Sequence, residues 1–162
     1  MRKLALFVAA LAAAAFAAPA SAKEPTITTF TNAQFETTMS GVCSFDVTVT
    51  SVQSGTQIVF YDQTGQVTRV FVHAVETDTF TANGKTLMGM PFTFNIEIPI
   101  DSSGNATNVY ASGVVERVVL PNGTLFLSAG RADFLAHPGV SFLLSPDKGN
   151  PGDVAAFCAA LS

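Results

Sequence analysis

The feature that most constrains this chain is a two-residue rhythm. Phe92, Phe94, Ile96, Ile98 and Ile100 alternate with Thr93, Asn95, Glu97 and Pro99. Successive side chains of a strand point to opposite faces, so such a run buries one face and wets the other only as β-structure. Phe45, Val47 and Val49 alternate in the same way with Ser44, Asp46, Thr48 and Thr50. From Lys23 onward the chain holds 18 Thr and 16 Val, β-branched residues that suit a pleated, half-buried surface.

Turn residues divide this material into short units. Gln53-Ser54-Gly55, Gln63-Thr64-Gly65-Gln66, Asn83-Gly84, Asp101-Ser102-Ser103-Gly104-Asn105, Pro121-Asn122-Gly123 and His137-Pro138-Gly139 each punctuate it. They predict strands over 43–52, 56–62, 67–80, 92–100, 106–120 and 124–136, with a last short one over 140–144. Asn83-Gly84 tolerates positive φ at both positions and marks a tight hairpin. Pro99 places an interruption or an edge in its strand. The tail differs. Asn150, Pro151 and Asp153 are helix-start residues, and the Ala-rich stretch after them favours a helix of two to three turns docked by Phe157.

Strands in sequence without intervening helices predict an all-β, single-domain antiparallel meander. A long meander hides its edges by closing, so the expectation is a barrel of about seven or eight strands with a short C-terminal helix. A sandwich is the alternative.

The first 22 residues read as a secretory signal peptide. Arg2 and Lys3 precede an apolar stretch over 4–18, and Ala20-Ser21-Ala22 offers the small residues of a cleavage site. A membrane anchor is the weaker alternative for so short a stretch. This leaves a secreted domain over 23–162, extracellular or periplasmic, with no transmembrane segment after cleavage. That domain carries six basic residues against twelve acidic ones, a balance that repels phosphates and argues against nucleic acid. In an oxidising compartment, Cys43 and Cys158 are most simply a disulfide.

Few residues carry chemistry. The chain contains no G-x-S-x-G, H-E-x-x-H, Walker or G-x-G-x-x-G pattern, and no motif for a metal or cofactor. Asp101, Ser102, Ser103 and Asn105 form an oxygen-rich loop with few carboxylates for Ca²⁺. Asn105-Ala106-Thr107 and Asn122-Gly123-Thr124 match the N-glycosylation pattern. Asp46, Glu76, Asp78 and Glu97 are carboxylates that strand pairing can bring together.

The candidate ligand-binding set is Arg69, His73, Arg117 and Arg131, each inside a predicted strand or, for His73, mid-strand, with Phe71, Phe92 and Phe94 as an apolar wall. If those faces turn inward, they form a barrel interior for an apolar or acidic small ligand, with Glu97, Glu116 and Asp133 as neutralising partners. If they turn outward, they are ordinary surface charges. Three functions follow. The first is a secreted, non-enzymatic barrel that binds such a ligand. The second is a cell-surface or extracellular interaction module with a filled core and an exposed apolar patch. The third is an isomerase- or cyclase-type barrel enzyme, which requires an internal carboxylate or His with a shifted pKa.

Overall fold

The computed structural model describes residues 23–136 and 148–162. The signal peptide expected over 1–22 and the strand expected over 140–144 lie outside them.

Eight strands and one helix follow in chain order. They are β1 (Thr26–Met39), β2 (Val47–Tyr61), β3 (Val67–Ala82), β4 (Lys85–Met88), β5 (Phe92–Pro99), β6 (Tyr110–Val119), β7 (Leu125–Asp133), β8 (Lys148–Asn150) and α1 (Val154–Leu161). All pairings are antiparallel, in the order β1-β2-β3-β5-β6-β7-β8, with β4 also on β3. β4 and β5 read as one strand bent at Gly89-Met90-Pro91: β3 pairs with β4 through 79–82 and with β5 through 69–76. The chain is therefore the expected meander. Among the described residues the path does not return from β8 to β1, so the sheet they form is not closed into a barrel.

The sheet is nevertheless strongly curled. A flat sheet would hold β3 and β7 three strand spacings apart, about 14 Å. One ring, Phe157 of α1, lies 5.0 Å from Phe80 of β3 and 5.2 Å from Phe126 of β7. The inner face of the curl carries the core: Val47, Val49, Phe80, Leu87, Val118, Leu120 and Phe126, closed by Phe157 and Leu161. A second buried group, Ala74, Phe92 and Phe94, continues along that face.

α1 is too short to be stable alone. Asp153 caps it by accepting from the Ala156 amide, 2.9 Å. At its far end Asn83 Nδ2 donates to the Leu161 carbonyl, 3.0 Å, and Lys85 Nζ donates to that of Ser162. Cys43, in the β1–β2 connection, is bridged to Cys158 over 115 residues, with Cα atoms 5.5 Å apart. The expected turn at Asn83-Gly84 is present, with φ of 52° and 74°.

Two expectations on strand boundaries are corrected. Residues 26–39, which carry no clean alternation, form a strand of 14 residues. β1 is an edge strand exposed along most of its length, so neither face imposes an apolar period on it. Gln53-Ser54-Gly55 is not a turn but the middle of β2. Gly55 is needed for close approach instead: a Cβ there would lie 2.3 Å from the His73 carbonyl oxygen and 3.0 Å from the Phe30 ring.

Candidate functional site

Strand register decides which polar residues enter the curl. On β3 the even positions face inward, so Ala74, Glu76, Asp78 and Phe80 are all buried. On β6 the pairing with β7 slips between Val114 and Glu116. This one-residue bulge at Val115 changes which side chains face the core. Past it, Glu116, Val118 and Leu120 are buried, and Arg117 is turned to the other face. Glu116 stands directly opposite Ser128 of β7, itself fully buried.

Three carboxyls thus share one side of the sheet interior: Glu76 at 4% exposure, and Asp78 and Glu116 at 0%. Gln53 Nε2 donates to Glu76 Oε2. The Arg117 amide donates to Glu116 Oε1, 2.8 Å. The backbone fixes the rest. Gly89 donates to the Asp78 carbonyl and Met90 to that of Arg117, both 2.7 Å. A Cβ on Gly89 would meet the Asp78 carbonyl at 2.8 Å and Glu116 Oε1 at 3.1 Å. A glycine at the bend is what lets the Glu116 carboxyl reach β3.

The electrostatics follow from this burial. Both Asp78 carboxyl oxygens, Glu116 Oε2 and Ser128 Oγ are buried without a hydrogen-bond partner. Among the described residues no cationic side chain answers them. Arg117 points away, its Nη1 reaching the Pro91 carbonyl at 3.5 Å. Burial, and then the neighbouring Asp78, push Glu76 up to about 8 and Glu116 up to about 9. Each therefore favours its protonated form at neutral pH, which spares the interior two uncompensated charges. Chemically, the arrangement stores protons in a dry interior. Among the described residues no group of His, Cys, Asp and Glu has the geometry to hold a metal ion.

The seven candidate ligand residues do not meet. Phe92 and Phe94 lie buried on the inner face, rings 5.9 Å apart. The other five lie on the outer face or turn toward it. Arg69 stacks 4.1 Å over Phe60 and meets Glu97 at 3.4 Å, both partners about 44% exposed or close to it. Phe71 pairs with Glu97 in register and is half-buried. His73 Nδ1 is 2.7 Å from Asn95 Oδ1, an exposed pair. Arg131 stacks 4.3 Å over Tyr110. The inward condition for an arginine-lined interior is therefore not met. The physical reasons are the strand phase of β3 and β7, and the bulge at Val115 for Arg117. Of the supposed counter-ions, Glu97 and Asp133 serve outer or loop contacts, Asp133 accepting from Asn108 Nδ2 at 2.9 Å, while Glu116 alone is inside. The Asp101 carboxylate is spent on its own turn, accepting from the Ser103 and Asn105 amides at 2.8 and 2.9 Å.

In sequence Glu76 and Asp78 group with Asp46 and Glu97 as carboxylates able to meet, while Glu116 falls beside the arginines. The available signal was their spacing: Glu76 and Asp78 are two apart and in phase with Ala74 and Phe80.

Comparisons with protein families, curated proteins and solved structures found no match to this chain. No described helix is long and apolar enough to cross a membrane.

Proposed function

We propose that this chain is an exported, non-enzymatic β-protein that docks a protein partner on the outer face of its curled sheet. The observation that carries this reading is one row of exposed apolar side chains. Val119 and Leu125 face each other across β6 and β7. The bridge between Gly89 and Val118 puts Met88 next in that row. The three are 72% (Met88), 52% (Val119) and 50% (Leu125) exposed, and Met90 lies beside them. Scattered apolar surface residues are ordinary, but a contiguous row over three strands is the pattern of an interaction surface. Export is supported by the leader pattern and by the Cys43–Cys158 bridge. The sheet is read here as a partly rolled barrel stoppered by α1, in preference to a two-sheet sandwich, because a single helix fills its inner face.

A binding site for a small ligand is the second reading, favoured by an apolar recess of about 370 Å³ between α1 and the β6–β7 turn. Leu120, Pro121, Asn122, Ala156, Ala159 and Ala160 line it. No cationic side chain is among them, so it suits an apolar ligand better than an acidic one. The enzyme reading finds its internal carboxyls, but the described recess is lined by none of them.

The test is photo-cross-linking from position 88 in secreting cells. A discrete protein adduct is expected, and Val119→Lys with Leu125→Lys should abolish it while changing stability by only about 0.5 kcal/mol per site. An adduct indifferent to both substitutions, or none, contradicts the reading. Adduct formation with small apolar molecules at the α1 recess would favour the second one.

A further inference from the structure

We propose that Glu76, Asp78 and Glu116 form a proton-operated latch between β3 and β6, locked while the carboxyls share protons and loosened where alkaline solution removes them. The geometry carries this inference. Three carboxyls and the unpartnered, fully buried Ser128 hydroxyl converge on one side of the sheet interior. Among the described residues the surroundings supply nothing positive. β2 contributes Ser51 and Gln53, the β4–β5 bend contributes Gly89, β5 contributes Phe92, and β7 contributes Ser128 and Phe126. The facing part of β1 offers Ala33, Phe35 and Thr37. Lys85, a cation of the β3–β4 hairpin, lies beyond Leu87 and Phe80 and is engaged with the Ser162 carbonyl. Ionisation therefore leaves adjacent buried negative charges with no counter-ion among the described residues, a repulsion that acts between β3 and β6 at the Gly89 bend.

The direction with pH follows from linkage. Glu76 and Glu116 lie above their ordinary value of 4.5 in the folded chain. Between that value and about 8 and 9 the native state binds more protons than the unfolded one. Stability therefore falls as pH rises through this window, roughly tenfold in the folding constant per pH unit for each group, and levels off above it. The released protons pass to solvent.

The test combines thermal unfolding and amide exchange over pH 5–10 for the wild-type chain, Glu116→Gln, and Glu76→Gln with Glu116→Gln. The wild type should lose melting temperature and, after correction for intrinsic rates, protection at Gly89 and Met90 as pH rises. Glutamine keeps the oxygen that accepts from Arg117 and cannot ionise. The double variant should flatten both profiles and so keep, between pH 6 and pH 7, the roughly hundredfold in folding constant that the two groups cost the wild type over that unit. Parallel profiles for wild type and variant overturn the latch. If a variant fails to fold, a wild-type protection profile that stays level from pH 5 to 9 overturns it equally, and a falling one at those two amides supports it.

Discussion

Reducing the Cys43–Cys158 bridge is expected to lower the stability of this protein by about 5 kcal/mol, the chain-entropy value for a closed loop of this length. The loop spans 115 residues, most of the chain, so cutting it frees the unfolded state more than a local staple would. A domain of this size has only about 5–15 kcal/mol in hand. The reduced protein should melt far below the oxidised one, and Cys43→Ser with Cys158→Ser should behave like the reduced form. Unfolding with and without reductant measures the difference. An unchanged melting temperature would mean that the bond contributes nothing to the fold.

The second large effect is expected at Phe157. Its ring is fully buried and joins Phe80 to Phe126, so it holds opposite limbs of the curl together. Phe157→Ala should cost about 3–5 kcal/mol, the range for emptying a buried aromatic site. Phe157→Leu, which refills part of the volume, should cost clearly less. Helix docking and the disulfide act on the same eight residues, so combining Phe157→Ala with the double cysteine substitution should cost less than the sum of the two. Additive losses, read from denaturant unfolding, would show that α1 is anchored by the bridge and the ring independently.

What was legible in the sequence was whatever burial writes into a strand. The alternation after Phe92, the Asn83-Gly84 hairpin, the short terminal helix and the cysteine pair each follow from a local rule and appear in the structure, although the helix starts later than Asn150-Pro151 suggests and is capped by Asp153. β1 was illegible because it is an edge strand: its Thr-rich run buries too little to show a period. Gly55 misled because a glycine that permits close strand approach has the same composition as one that permits a turn. The candidate site was lost at a single residue. Without the bulge at Val115, the phase of Ala111 and Gly113 would have carried Arg117 inward and Glu116 outward; with it, the interior receives an acid in place of a base. A bulge is set by pairing with β7, which no local pattern in β6 encodes. The outer apolar row was hidden for a related reason. Met88, Val119 and Leu125 are far apart in sequence and become neighbours only through register.

Central to this account is that Glu76 and Glu116 keep their protons inside the folded sheet at neutral pH. Carboxyl carbon NMR of the intact, oxidised protein, titrated from pH 3 to 10, addresses this directly. Both side chains should remain in the protonated form at pH 7 and titrate near 8 and 9. Titration of both near 4.5, the value of an ordinary glutamate, would contradict it and place the two carboxylates, charged, in contact with water.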